Sequence, residues 1–302
     1  MAEPILVILA AGLGSRYGGL KQIDTVGNNG ESIIDFSIYD AYQAGFRKLV
    51  LIIRKEHEQL FDQHIANKVR PFMEVIYAYQ DVKDLPDEFT CPPKRSKPWG
   101  TVQALLATQP YIDGPFMVIN ADDFYGKQPY KIMYDFLKSE ANDHLFGMVS
   151  YQLTKTLTDN GSVTRAICQK DKEGNLVKIT EIPKIIRRNG QPVAINDDGT
   201  ESVLEDGLCS MNFWGFTPAI YPYLQEDFCR FLKDNLTVPK AELVIPVSMM
   251  NILAHKPIKV KVMSTDAQWF GVTYPQDKEA VTARITQYKE DDIYPFDLWS
   301  IE

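Results

Sequence analysis

The sequence predicts an α/β protein built in three layers on a Rossmann-like, mixed and mostly parallel sheet, and two patterns support this. In the first half, apolar segments of strand length alternate with helical patterns, a succession that produces right-handed βαβ units. The predicted strands there are residues 5–9, 49–53, 73–79 and 116–119. After residue 145, strand-like segments follow one another across Gly- and Asn-containing turns, at residues 148–153, 164–169, 177–179 and 211–216. The second half is therefore predicted to be mixed or antiparallel.

The first predicted helix has the clearest start and stop signals. Ser32 stands at its N-cap with Asp35 three residues on, a capping-box pair, and Gly45 ends it. Further helices are predicted at residues 56–64, 101–107, 131–139 and 276–287. The chain contains no internal repeat, Gly/Ser linker or low-complexity tract. We expect one continuous domain over residues 1–302.

The composition excludes several function classes. The chain has 302 residues with 32 Lys+Arg against 40 Asp+Glu, a formal charge of −8 that disfavours nucleic acid as a partner. Its apolar runs are too short for a membrane span and its N-terminus lacks signal-peptide features, so we expect a soluble, cytoplasmic protein without a membrane partner. The four cysteines form no CxxC pair. We expect reduced, mostly buried thiols.

The loop after the first strand carries the strongest functional signal. It contains Ala11, Gly12 and Gly14, followed by Arg16 and Lys21. Glycines allow the backbone to approach phosphate oxygens, and the two basic side chains supply positive charge at the carboxyl edge of a parallel sheet, where ligands bind in open α/β folds. This pattern predicts a polyphosphate site.

Two better-known phosphate loops are excluded. The dinucleotide fingerprint GxGxxG requires glycine where this chain has Tyr17, and the second strand is followed by Arg54 and Lys55 instead of a ribose-binding acid. A Walker A loop requires Gly-Lys-Ser/Thr, whereas here Lys21 precedes Gln22.

The segment LAAGLGSRYGGLKQ resembles the signature loop of the sugar-nucleotide pyrophosphorylase (sugar-phosphate nucleotidyltransferase) superfamily. The resemblance implies a nucleotide-diphospho-sugar transferase fold of the GT-A type, with a nucleotide-binding half over about residues 1–145 and a sugar-binding half over about 146–302. It also implies that Ala11, Gly12 and Gly14 cradle a nucleoside triphosphate. Arg16 and Lys21 would then contact its reacting phosphates.

Further positions match the nucleotide side of the family pattern. Gln80, at the end of the third predicted strand, and the turn at Gly100 and Thr101 match the places that read the base. Because a Gln amide offers a donor and an acceptor to an imide edge, UTP or dTTP is favoured. Asp122 matches the acid that binds Mg²⁺. Alternatives stay open: Gln80 could satisfy a loop carbonyl, Gly100 could be a simple turn residue, and Asp122 could cap the next helix.

The sugar side departs from the family pattern in two places. Gly161, Glu181 and Asn212 match sugar-contacting positions, but Ile182 replaces the usual lysine, which leaves Lys184 as the candidate cation for the sugar phosphate. The second metal acid is also replaced, by Gly271 or Thr273. Asp266 is the nearest substitute as a metal ligand, ahead of Asp277.

The resemblance implies a Mg²⁺-dependent reaction of a nucleoside triphosphate with a sugar 1-phosphate, giving a nucleotide sugar and pyrophosphate. Two other functions stay open on the same fold: a glycosyltransferase that uses a nucleotide sugar, and a non-catalytic, nucleotide-sensing regulatory subunit. The sequence also leaves the identity of the sugar and the assembly state open, a homo-oligomer included.

Overall fold

The computed structural model describes residues 2–12, 23–158, 160–272 and 277–300. Within these ranges the strands are β1 (Ile5–Leu9), β2 (Lys48–Ile53), β3 (Glu74–Tyr79), β4 (Phe116–Asn120), β5 (Asp123–Phe124), β6 (Leu145–Gln152), β7 (Val163–Lys170), β8 (Leu176–Arg188), β9 (Gln191–Ile195), β10 (Glu201–Val203), β11 (Leu208–Phe216), β12 (Lys259–Thr265) and β13 (Phe270–Gly271). The helices are α1 (Ile33–Ala44), α2 (Glu58–Phe61), α3 (Asn67–Val69), α4 (Thr101–Leu106), α5 (Lys127–Ser139), α6 (Ile220–Asn235), α7 (Ile245–Leu253) and α8 (Asp277–Glu290).

The main sheet is mixed, as the sequence predicted. Its strand order is β10-β9-β8-β7-β11-β4-β1-β2-β3, with β6 paired to β11 and β12. In the first half β1 runs parallel to both β2 and β4, and β2 runs parallel to β3. In the second half, β7, β8, β9 and β10 pair antiparallel along the sheet. The change of direction occurs where β11 pairs antiparallel with β4.

Alternate residues of β1 face opposite helical layers, which confirms the three-layer arrangement. Leu6 and Ile8 belong to a core that contains residues of α1 and α5, whereas Ile5 and Val7 belong to a core with residues of α4, α6 and α7. A smaller third core joins α8 and the C-terminal segment to α1, through residues such as Phe36. A buried parallel strand needs apolar side chains on both faces, and this is why β1 is a continuous apolar run.

The signals at the ends of α1 act as the sequence predicted. The Asp35 carboxylate accepts hydrogen bonds from the Ser32 backbone N–H and from its hydroxyl, both at 2.8 Å. Gly45 ends the helix with φ at 123°, in the region that favours glycine, and its N–H donates to the Ala41 carbonyl. Both predicted boundaries are confirmed.

Other elements were predicted incompletely. The helix expected at residues 56–64 is an irregular run: a 3₁₀ turn at Lys55–His57, then α2, a π-helical turn at Asp62–Ala66, and α3. The prediction missed β5, β9, β10, β12, β13, α6 and α7. All four cysteines are free thiols, two buried and two half-buried. In the described part of the chain, no helix is both long enough and apolar enough to cross a membrane.

Candidate active site

A cavity of about 770 Å³ opens at the carboxyl ends of the parallel strands. Ligands bind at this edge in open α/β sheets, because the loops leaving neighbouring strands diverge there. Six of the residues singled out in the sequence line the cavity together: Ala11, Gly12, Gln80, Gly100, Thr101 and Asp122. Three others, Gly14, Arg16 and Lys21, lie outside the described residues. The cavity therefore unites the loop after β1 with the positions after β3 and β4.

The amide of Gln80 is held in one orientation. Its Nε2 donates to the Gly100 carbonyl and to Oε1 of Gln103, each at 3.1 Å. The Gln103 amide is itself oriented, because its Nε2 donates to the carbonyls of Asp81 at 2.7 Å and Asp84 at 3.0 Å. Gln103 Oε1 must therefore be the acceptor that Gln80 meets. Within the described chain, this leaves Oε1 of Gln80 as the atom of its amide that is open to a ligand.

The backbone geometry at position 100 requires a glycine. Its φ is 103°, and a Cβ at this position would lie 2.3 Å from the carbonyl oxygen of Leu243. The same segment holds Thr101, whose hydroxyl accepts the backbone N–H of Ile245 at 2.9 Å. Gly100 is thus more than a turn residue, since it lets the cavity wall approach the 243–245 segment closely.

Arg95 organises part of the cavity wall without contributing to the lining. The buried guanidinium stacks 3.3 Å from the ring centre of Trp99 and donates to carbonyls on two segments. These carbonyls belong to Lys97, Pro98, Val238 and Ala241. Sequence reasoning missed both Arg95 and Gln103. The four hydrogen bonds from Arg95 to these carbonyl oxygens hold the 95–100 loop against the 238–243 segment. An ion pair between Lys97 and Glu242, at 2.5 Å, also joins the two segments.

Of the two adjacent acids after β4, Asp122 lines the cavity, whereas Asp123 is engaged in a neighbouring network. The Asp123 carboxylate accepts Nδ2 of Asn120 at 2.8 Å and the Tyr125 hydroxyl at 3.2 Å. Helix α5, which follows, has its N-cap at Gly126, so Asp122 does not cap it. The assignment of the metal to Asp122 and not Asp123 stays a prediction.

The donor set at Asp122 fits a magnesium ion that is bound partly by substrate. Mg²⁺ typically takes one or two carboxylates and fills its octahedral shell with phosphate oxygens and water. Among the described residues, no group of three or more His, Cys, Asp or Glu side chains is arranged to hold a metal alone. Asp122 could therefore hold such a metal together with substrate phosphates, whereas Glu242, the other described acid of the lining, pairs with Lys97.

Position 271 lies beside the two acids. Strand β13 pairs with β5 so that Gly271 stands opposite Asp123. A Cβ on Gly271 would lie 3.2 Å from Oδ1 of Asp123 and 3.3 Å from the carbonyl oxygen of Asp122. Asp266, the predicted substitute, is exposed and pairs with Lys155 at 3.3 Å. Its role as a second metal ligand stays a prediction, and it does not line the cavity.

Of the predicted sugar-side residues, Asn212 is connected to the cavity. Its Nδ2 donates to Oδ1 of Asn120, a cavity residue, at 2.7 Å, and its own Oδ1 accepts the indole N–H of Trp214 at 2.9 Å. Asn212 has a φ of 60° at a register shift in β11. Gly161, Glu181 and Lys184 are exposed and do not line the cavity, and Lys184 pairs with Asp197 at 3.3 Å.

Similar folds occur among proteins of known structure. The inositol-1-phosphate CTP transferase of T. maritima is 14% identical, covering 96% of this chain and 98% of that one, with a TM-score of 0.62. A Bacillus anthracis protein described as a glucose-1-phosphate thymidylyltransferase is 14% identical, covering 94% and 95%, with a TM-score of 0.63. HddC of Yersinia pseudotuberculosis is 16% identical, covering 93% and 99%, with a TM-score of 0.57. At these identities the likeness shows the fold alone.

The family follows from the sequence itself. No curated protein sequence matches this chain. The sequence model of the family described as "Nucleotidyl transferase", however, matches residues 5–194, a segment that contains the loop after β1, Gln80, Gly100 and Asp122. This match confirms the resemblance drawn from the signature loop. The chain belongs to the nucleotidyl transferase family.

Proposed function

We propose that this protein condenses UTP or dTTP with a sugar 1-phosphate, producing a nucleotide sugar and pyrophosphate. The observation that carries the proposal is the 770 Å³ cavity, which Ala11, Gly12, Gln80 and Asp122 line together. Structural neighbours described as acting on inositol 1-phosphate and glucose 1-phosphate support a phosphorylated polyol or sugar as acceptor.

The preference for uracil or thymine rests on the orientation of Gln80. With Nε2 committed to Gly100 and Gln103, Oε1 presents an acceptor to the cavity. Gly100 also lines the cavity, and its backbone N–H would supply the adjacent donor. An acceptor next to a donor matches the N3–H and the neighbouring carbonyl of a uracil or thymine ring.

The reaction we propose is an in-line attack of a sugar phosphate oxygen on the α-phosphorus, with pyrophosphate leaving. A magnesium ion held by Asp122 and the triphosphate would supply positive charge to the reacting phosphates. The protein's own contribution is to place both substrates and to neutralise charge, and we assign Arg16 and Lys21 to the latter role from the family resemblance. Ala11, Gly12 and Gly14 would bring backbone N–H groups to the phosphates, and Thr101 would border the base.

We assign the acceptor to the second half of the chain. Asn212 is the best-supported contact, because its hydrogen bond to Asn120 links it to the cavity. Gly161, Glu181 and Lys184 are proposed as further sugar or phosphate contacts. In this scheme the chain is one domain with a nucleotide-binding half up to about residue 145 and an acceptor-binding half beyond it.

The test is to incubate the purified protein with Mg²⁺, one triphosphate at a time and a panel of sugar 1-phosphates, while pyrophosphate release is measured. We expect release with UTP or dTTP and with a subset of the acceptors. Transfer or hydrolysis of a nucleotide sugar without pyrophosphate release would instead indicate a glycosyltransferase. Nucleotide binding without either reaction would indicate a regulatory subunit.

An Asp122→Asn variant tests the site directly. Loss of the metal-binding carboxylate should lower kcat by about 10²- to 10³-fold, the effect typical of removing one electrostatic contributor to a transition state. Asp113→Asn is the matched control, because Asp113 is an exposed surface acid paired with Lys48. Equal activity of the two variants would exclude Asp122 from the mechanism.

A further inference from the structure

A second, smaller cavity of about 140 Å³ carries three arginines. We call it the arginine pocket and define it by Arg165, Arg187, Arg284, Trp269, Phe270 and Asp277. Pockets that enclose a whole drug-sized ligand usually measure 300 Å³ or more. The arginine pocket is therefore suited to one small group and not to a nucleotide.

Positive charge dominates the described lining of this pocket. Two of its arginines, Arg165 and Arg284, form no ion pair with a carboxylate of the described residues, in a chain whose overall charge is −8. The Asp277 carboxylate accepts the Thr158 hydroxyl and Nδ2 of Asn160, both at 3.1 Å. Such a local reversal of the net charge is an electrostatic signature of an anion site.

Three hydrogen bonds hold the Arg165 guanidinium in the pocket. Its Nε donates to the Thr156 hydroxyl at 3.0 Å, one terminal nitrogen donates to the Thr164 carbonyl at 2.9 Å, and the other donates to the Thr156 carbonyl. These partners are neutral, and two of the five guanidinium N–H groups remain available to donate to a ligand. Burial lowers the pKa of Arg165. No carboxylate of the described residues forms an ion pair with it.

Aromatic rings hold two of the arginines in place. The Arg165 guanidinium lies 4.7 Å from the ring centre of Trp269, and that of Arg284 lies 5.4 Å from the ring centre of Phe270. Stacking fixes the plane of a guanidinium and leaves its edge free to bind a carboxylate or phosphate through two parallel hydrogen bonds. The charge of Asp123 offsets part of the effect of burial on the Arg165 pKa, but no described carboxylate forms an ion pair with this guanidinium. An anion that enters the pocket would therefore offset more of the cost of burying Arg165.

The pocket adjoins the active site but does not overlap with it. Gly271 lines the pocket, and a Cβ on that residue would lie 3.3 Å from the carbonyl oxygen of Asp122. Arg165 also stands opposite Ile182 in the β7–β8 pairing, at the position where the family pattern has a lysine. The described linings of the two cavities have no residue in common.

We propose that the arginine pocket binds a second anionic group of the acceptor, a phosphate or carboxylate distinct from the phosphate that attacks the nucleotide. The attacking phosphate must lie in the large cavity beside Asp122, so a group in the arginine pocket belongs to another part of the acceptor. The substrate class is then a phosphorylated sugar or polyol that bears a further acidic group. This inference rests on the proposed function.

Binding is tested first with inorganic phosphate as the probe, in the presence of UTP and Mg²⁺ so that the large cavity is occupied. Calorimetric titration should show that Arg165→Met weakens phosphate binding by about tenfold or more, since a charged hydrogen-bond partner is lost. Arg284→Met should weaken it in the same direction, and Arg165→Lys should restore part of the affinity. The matched control is Arg188→Met, because Arg188 is exposed and pairs with Glu201 at 2.7 Å.

Turnover then tests the acceptor class. The ratio of kcat/KM for acidic acceptors to that for neutral sugar 1-phosphates should fall about tenfold in Arg165→Met and stay constant in Arg188→Met. Arg284→Met provides the same comparison if Arg165→Met fails to fold, since Arg284 is exposed.

Two results would overturn the inference while leaving the proposed function intact. One is a phosphate affinity that is equal in wild type, Arg165→Met and Arg284→Met. The other is a ratio of kcat/KM for acidic to neutral acceptors that is the same in wild type and Arg165→Met. If no acceptor releases pyrophosphate from any triphosphate, the proposed function fails. In that case, phosphate binding that still depends on Arg165 would retain the anion site and overturn its assignment to an acceptor.

Discussion

Asp40 offers a quantitative test of how burial affects stability. This residue of α1 is 2% exposed, and its Oδ2 accepts the Tyr294 hydroxyl at 2.7 Å. Its Oδ1 is buried with no hydrogen-bond partner in the described structure. Desolvation raises the pKa of Asp40 from its ordinary 3.8 to about 7, although the Tyr294 hydrogen bond and the charge of Lys127 act in the opposite direction.

The sign of the resulting pH dependence follows from proton binding. Between pH 3.8 and about 7 the folded protein holds a proton on Asp40 that the unfolded chain has released. The free energy of unfolding therefore falls as the pH rises through this window and becomes constant above it. At about 1.36 kcal/mol per pH unit, the total is on the order of 4 kcal/mol, of which about 3 kcal/mol falls between pH 5 and pH 8.

The assay is urea unfolding of wild type and Asp40→Asn at pH 5 and pH 8. Asn has no proton to lose, so Asp40→Asn should gain about 3 kcal/mol relative to wild type between the two pH values. Other buried acids, including Asp35, whose pKa burial also raises, are present in both proteins and cancel in the difference. Parallel stability profiles for the two proteins would refute a raised pKa at Asp40. Asp113→Asn, at an exposed acid, should follow wild type throughout.

Three other predictions concern packing and the nucleotide side of the site. Lys289 and Glu31 form an ion pair whose side chains are only 5% and 4% exposed. Lys289→Met leaves a buried carboxylate unpaired, so it should lower the free energy of unfolding in urea by about 3–5 kcal/mol, and adding Glu31→Leu should recover part of this loss. A double variant no more stable than Lys289→Met would contradict this reasoning. Gln103→Leu removes one of the two acceptors that orient the Gln80 amide, so KM for UTP should rise about tenfold with a smaller change in kcat. An unaltered KM would exclude the positioning role of Gln103. Gly100→Ala should raise the KM for UTP and lower thermal stability, because its φ of 103° and the 2.3 Å approach leave no room for a methyl group; a variant indistinguishable from wild type in both measurements would show that the wall is more compliant than its geometry implies.

The parallel half of the fold was predictable because its signals are local. Strands such as β1 are buried on both faces and so read as short apolar runs, and α1 carries its start and stop signals within its own sequence. The position of the cavity could be predicted from the topology, because parallel strands place the residues that follow them at one edge of the sheet. Asp122 and Gln80 could therefore be assigned to a single site before their contacts were known.

Some of the missed elements also had usable patterns. The buried side chains of α6 include Ile220, Leu224, Phe228 and Leu232, a four-residue spacing that indicates a helix, and β12 alternates buried and more exposed positions over its first four residues. In contrast, β10 consists of three exposed residues, so no periodicity marks it. Its existence depends on pairing with β9, which only the tertiary structure supplies.

The roles of Arg95 and Gln103 had no sequence signature. Arg95 donates to carbonyls 143 and 146 residues further along the chain, and carbonyl groups are the same at every position of a sequence. Gln103 stands inside a short helix, where a polar residue is ordinarily solvent-facing. Its burial follows from the loop carbonyls of residues 81 and 84, which meet it only after folding.

The pairing of β11 with both β4 and β7 has a consequence for fragments of the protein. The C-terminal part of this strand, Trp214 to Phe216, pairs with β4, whereas Cys209 and Ser210 pair with β7. A fragment that ends near residue 145 would lack β11 and present the backbone of β4 as an open edge, a template for self-association. This fragment is therefore expected to aggregate when it is expressed alone. Co-expression with the remainder of the chain should restore solubility, because complementation re-covers that edge.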